Sequence, residues 1–108
     1  QIPAMSDTWT LKVIEPNREP REFAARDGLV FGSHIDCGVV FMDKKVDGHH
    51  AKLVTEGDGL AILNLVDEDG PKIDGDKVLA QGEREELRVG MEIGLGKSMI
   101  IVQGPAGE

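Results

Sequence analysis

The stretch Gly28-Leu29-Val30-Phe31-Gly32-Ser33-His34-Ile35-Asp36-Cys37-Gly38-Val39-Val40-Phe41-Met42-Asp43-Lys44-Lys45-Val46-Asp47-Gly48-His49-His50-Ala51 decides the fold of this chain. Two short apolar runs, Gly28 to Phe31 and Gly38 to Met42, stand between turn-forming segments. Neither run is long enough for a helix, and Gly32 permits a sharp exit from the first. The stretch therefore predicts strand, turn, strand, turn and the start of a third strand.

The same grammar extends in both directions. Trp9 to Ile14 is expected to be the first strand, ended by Pro16-Asn17, and Arg21 to Ala24 the second. From His50 to Thr55, Ala51, Leu53 and Thr55 alternate with His50, Lys52 and Val54. The turn Glu56-Gly57-Asp58-Gly59 then leads into Leu60 to Val66, giving a hairpin. Lys72 to Val78 places Asp74-Gly75 between two very short strands, a tight-turn signal because both central residues need positive φ. Met91 to Leu95 and Ser98 to Val102 predict a last hairpin around Gly96-Lys97. Gln81 to Arg88 has no apolar stripe and reads as a loop leading into Leu87-Arg88-Val89. The prediction is an all-β sandwich of about eleven short strands in two sheets.

Composition narrows the function. The 108 residues suffice for one domain with its own core. The formal net charge of −8 disfavours nucleic acid and anionic membrane surfaces, both of which attract Lys and Arg. No apolar run approaches the roughly 20 residues needed to cross a bilayer, so direct membrane insertion is not expected. The single cysteine, Cys37, excludes an internal disulfide and suits a reducing, cytoplasmic location. Met5 reads as a natural start, with residues 1–5 outside the fold, a domain over 6–103, and a linker stub at 104–108 that points to a larger chain.

Several landmarks together resemble the forkhead-associated (FHA) family. Phe31-Gly32-Ser33 stands where that family has hydrophobic-Gly-Arg. Val46-Asp47-Gly48-His49-His50-Ala51 stands where it has Val-Ser-Arg-x-His-Ala. Asn64-Leu65 matches Asp-Leu, Asp67-Glu68-Asp69-Gly70-Pro71 matches Ser-x-Asn-Gly-Thr, and Ile73-Asp74-Gly75 matches hydrophobic-Asn-Gly. Leu87 to Gly96 follows Leu-x-x-Gly-Asp-x-Ile-x-hydrophobic-Gly, with Met91 at the Asp position. The resemblance spans roughly Leu11 to Val102. It implies an FHA-like β-sandwich in which Gly32, Gly70 and Gly75 serve the backbone and His50 braces neighbouring loops.

The resemblance also implies where a phosphothreonine would sit. In binding members the turn Arg and the following Ser contact the phosphate, and an Asn holds the peptide backbone. Here those positions are Ser33, Asp47 and Asp69, while Gly48 replaces the second Arg and Asp67 and Pro71 flank Asp69. A phosphate near charge −2 needs cationic and neutral donors, and this pattern removes a guanidinium while adding carboxylates. The expectation is a non-catalytic protein-interaction or assembly module that works independently of phosphothreonine. By resemblance, such domains are scaffolding pieces, as in the cytoplasmic domains of inner-membrane ring proteins of bacterial type III secretion systems. The partner surface would be apical: Ser33, His34, Asp47, Gly48, His49, Asp67 and Asp69. Its acidity would suit an Arg- or Lys-rich protein partner.

The alternatives are a phosphothreonine reader with a pocket rebuilt from His34, His49 and Lys72, and a metal-binding module. On the resembled fold, His34, Cys37, Asp47, His49, His50, Asp67 and Asp69 would share one end, yet their spacing matches no zinc pattern. The acidic turns lack the calcium-loop spacing. No metal or other cofactor is expected. No nucleophile elbow or phosphate loop is present, and nothing orients a base beside Ser33, so no catalysis is expected either. Cys37 reads as a small buried apolar residue.

Overall fold

Short runs of aliphatic residues bury one face each, and the glycine and Asp-Gly turns between them fold the chain back on itself. The computed structural model describes residues 9–104 and forms eleven strands and no helix there. They are β1 (Thr10–Ile14), β2 (Arg21–Ala24), β3 (Val30–Gly32), β4 (Val39–Val40), β5 (Ala51–Glu56), β6 (Gly59–Asn64), β7 (Lys72–Ile73), β8 (Lys77–Val78), β9 (Arg84–Glu86), β10 (Glu92–Leu95) and β11 (Ser98–Gln103). One sheet has six strands in the order β2-β1-β11-β10-β7-β8, and the other has five in the order β4-β3-β5-β6-β9. The pairing is antiparallel throughout except between β3 and β4. Among the described residues no helix is long and apolar enough to cross a membrane. The expected start, residues 1–5, and all of the expected stub 104–108 except Gly104 lie outside the described residues.

The core forms between the sheets. Leu11 and Val13 of β1, Ile93 and Leu95 of β10, and Ile100 and Val102 of β11 are buried from one side. Phe31 of β3, Val39 of β4, Ala51 and Leu53 of β5, and Leu60 and Ile62 of β6 are buried from the other. The alternation expected from His50 to Thr55 places Ala51 and Leu53 inward, and full burial of a side chain the size of Leu53 contributes about 1.5–3 kcal/mol. Asp74 and Gly75 have φ of 53° and 73°, the geometry that lets β7 and β8 pair across a tight turn.

The stretch expected to be a loop departs from that expectation. Arg84–Glu86 is a strand, β9, paired to β6 through Ala61↔Glu86, Ile62↔Glu85 and Leu63↔Arg84. Its side chains are charged because it lies at a sheet edge, where main-chain bonds alone supply the pairing. Conversely, Leu87-Arg88-Val89 is not a strand: Leu87 is buried, and the chain then turns through Gly90 at φ 90°.

One acid is inside. Glu15, at the end of β1, is 4% exposed. Its carboxylate accepts from the Arg18 guanidinium at 2.8 Å and from Arg21. It also accepts the main-chain N–H groups of Met42 at 2.8 Å and Asp43 at 3.2 Å, so it ties β1 to the loop after β4. Arg21 in turn donates to the Val40 carbonyl at 3.0 Å. Replacing Glu15 by Ala strands those two amides and both cations, and should cost about 2–4 kcal/mol in urea unfolding. A loss below about 1 kcal/mol would mean that solvent replaces the carboxylate at little cost.

Candidate functional site

Three connections meet at one end of the sandwich: β3–β4 (residues 33–38), β4–β5 (41–50) and β6–β7 (65–71). The first two run side by side. The Ser33 N–H donates to the Asp47 carbonyl at 2.9 Å, and the His34 N–H to the Gly48 carbonyl at 3.1 Å. Only glycine permits this approach at position 32, because a Cβ there would overlap the Gly48 carbonyl. Gly70 is confined in the same way by the Leu79 carbonyl and the Asn64 side chain.

His50 joins the second connection to the third. The ring is fully buried, accepts the Asp47 N–H at Nδ1 at 3.0 Å, and donates from Nε2 to the Asp69 carbonyl at 2.9 Å. These partners fix the tautomer with the proton on Nε2. Asp69 presents that carbonyl from a left-handed conformation, φ 57°, which Asp tolerates better than most side chains. Asn64 holds the base of the same loop: its amide donates to the carbonyls of Val66 and Leu79, both at 2.9 Å, and accepts the Val66 N–H at 3.0 Å.

The side chains expected at the partner surface are distributed as follows. Ser33, His34, Asp47, His49, Asp67 and Asp69 are exposed, and Gly48 is half-buried between them. Among the described residues Asp47, Asp67 and Asp69 form no ion pair. His34 and His49 stack with ring centroids 5.2 Å apart and planes at 26°. Both rings reach the same oxygen, Oδ1 of Asp36, at 2.8 and 2.9 Å. Asp36 was not among the residues singled out from the sequence. Its only signal there is a position two residues after His34, since His49 arrives from another loop. The hydrogen bond from His49, reinforced by the one from His34, holds the Asp36 carboxyl below the usual carboxylate range.

Cys37 does not join this group. Its thiol is buried and turned toward the Gly48 carbonyl at 3.1 Å. Burial, and then the neighbouring Asp36 charge, push the thiol up, so it holds its proton. Beside the third loop a groove of about 500 Å³ is lined by Lys45, Asp69, Gly70, Lys72, Gly94 and Lys97. Among the described residues none of these three lysines forms an ion pair.

The His50 brace makes a test of the loop frame. Replacing His50 by Ala removes a buried ring and strands one N–H and one carbonyl, an expected cost of about 2–4 kcal/mol in chemical denaturation. Amide resonances of Asp47 and of residues flanking Asp69 should shift together in that variant. Shifts confined to the β4–β5 connection would mean that the ring does not couple the two loops.

Known proteins align with this geometry. The family model described as "FHA domain" matches residues 29–96. The FhaA FHA domain, solved with the intracellular domain of Rv3910, is 24% identical, with a TM-score of 0.74 over 88% of this chain and 99% of that one. The FHA domain of the CT664 protein from Chlamydia trachomatis is 22% identical, with a TM-score of 0.75 over 91% of this chain and 98% of its own. An FHA domain of an Arabidopsis thaliana hypothetical protein is 17% identical, with a TM-score of 0.77 over 100% of this chain and 95% of its own. No curated protein matches significantly. The structural likenesses show the sandwich, and the family match extends across both the glycine-bounded loops and the His50 brace: the chain belongs to the FHA domain family.

Proposed function

We propose that this FHA domain holds a protein partner on its apical loops without requiring phosphothreonine, as an assembly piece of a larger chain. The observation that carries the reading is the charge of the converging loops. Where phosphate would be held stand Ser33, Asp47, Gly48 and Asp69, with Asp67 beside them and no Arg or Lys at any of the five positions. A lost charge-assisted hydrogen bond removes about 1.5–3 kcal/mol, and an exposed carboxylate in its place repels the dianion. Proteins of the same fold support a partner-binding role, since one was solved with the intracellular domain of another protein and two with peptides, one of them a phosphopeptide. The free, buried Cys37 suits a reducing cytoplasm.

One observation favours a second reading within the same family. Lys45, Lys72 and Lys97 line the groove beside Gly70, where they could supply a rebuilt pocket for an anionic peptide.

Calorimetry with a degenerate phosphothreonine peptide library and its unphosphorylated twin separates the two. The native domain should give no phosphate-dependent heat. A variant carrying Ser33→Arg, Asp47→Ser, Gly48→Arg and Asp69→Asn should acquire it. Phosphate-dependent binding by the native domain, lost on Lys72→Ala, would establish the rebuilt pocket and sink the first reading.

A further inference from the structure

We propose that His34, Asp36 and His49 form a binding site for one transition-metal dication of the zinc, nickel or copper type. The inference is independent of how the apical loops meet a partner. The three ligand atoms, Nδ1 of His34, Nε2 of His49 and a carboxylate oxygen of Asp36, lie within 4.8 Å of one another. A tetrahedral ion that holds nitrogen and oxygen at about 2.0–2.1 Å spaces its ligands about 3.3 Å apart. The two ring nitrogens already stand 2.8 and 2.9 Å from the Asp36 oxygen. Each separation therefore has to open by only about 0.5 Å to admit such an ion. Two imidazoles and one carboxylate are donors that zinc, nickel and copper accept, whereas calcium and magnesium prefer oxygen alone.

Proton placement points the same way. Asp36 Oδ1 faces two ring nitrogens, and each must carry a proton for both contacts to be hydrogen bonds. The main-chain N–H of Asp36 also points at His34 Nδ1, at 3.2 Å, and asks that nitrogen to accept instead. One nitrogen cannot donate and accept along these two directions with a single ring proton. A dication at the focus takes the place of the ring protons: each nitrogen turns its single lone pair inward, the carboxylate oxygen meets a positive charge, and the long 3.2 Å contact from the Asp36 N–H is the one given up. Binding would release ring protons and would weaken in acid, where protons compete for the same nitrogens.

The frame is built in advance. The backbone bonds from Ser33 to Asp47 and from His34 to Gly48 hold the two loops together, and the Cys37 N–H donates to the His34 carbonyl at 3.1 Å, closing the turn that carries Asp36. The rings are already stacked face to face. Half of each ring is open to solvent, at 54% and 50% exposure, which leaves coordination positions for water or for a group from a partner. A net charge of −8 raises the local concentration of cations around the whole domain.

The test is a calorimetric titration of untagged protein, stripped with a chelator, with zinc chloride, run beside carbon–proton NMR of the histidine rings. One ion per chain should bind. The ring resonances of His34 and His49 should shift while that of buried His50 stays in place. His34→Ala and His49→Ala should abolish binding, and Asp36→Asn should weaken it by more than the roughly 10–100-fold that outer-shell partners are worth. All three side chains are exposed, so urea unfolding should leave each variant folded; if one alanine variant fails to fold, Asp36→Asn and the native ring shifts still decide. Cys37→Ser should leave the affinity unchanged. Absence of binding at millimolar zinc, binding that survives loss of both histidines, or zinc held by Cys37 would overturn the proposal.

Discussion

A single imidazole sets the geometry of the apical end. The ring of His50 is shut away from solvent, and each nitrogen meets a main-chain partner from a different connection. A buried ring with one unsatisfied nitrogen would cost a large part of what a small domain has to spare. The two loops are therefore held to one relative position whenever the domain is folded. The rest of the frame is backbone as well: main-chain bonds join Ser33 to Asp47 and His34 to Gly48, and Gly32 allows the approach. Because main chain and His50 carry the frame, the exposed side chains on it are free to change without loss of fold. That separation lets the FHA scaffold carry exposed Ser33, Asp47 and Asp69 on these loops without strain on its frame.

The charge pattern is more divided than net charge suggests. The tips of the apical loops present Asp47, Asp67 and Asp69, while Lys45, Lys72 and Lys97 border a groove a short distance along the surface. Glu15 is neutralised inside by two guanidiniums and two amides, so it adds nothing to the outward field. A partner that spans both regions would meet opposite signs, and its orientation would be fixed by them.

Much of the fold could be read from the sequence because its signals are local. Asp74-Gly75 announces a turn by the φ values it tolerates, and Ala51 and Leu53 announce an inward face by alternation. Strand β9 was missed because its pairing is made by main chain, to which Arg84, Glu85 and Glu86 give no apolar clue. Glu15 was missed because an acid at a strand end looks solvated until Arg18, Arg21 and the β4–β5 connection close over it. Asp36 was missed for a related reason: its significance depends on His49, 13 residues away, arriving from another loop. Contacts made by tertiary approach leave no periodic trace in a chain.

The borders of the two sheets have a consequence for how anything can attach. The outermost strands are β2 and β8 in one sheet and β4 and β9 in the other. Two of them, β4 and β8, are only two residues long, and β9 is made of Arg and Glu alone. An incoming extended segment would find few free main-chain groups in line and charged side chains beside them. Recruitment by zippering a foreign strand onto the sandwich, or by fusing two copies edge to edge, is thereby discouraged. Only β2, with four residues, offers a longer border, so a partner gripped by side chains and loop termini is favoured, and specificity is then free to diverge one residue at a time while the sheets remain as they are.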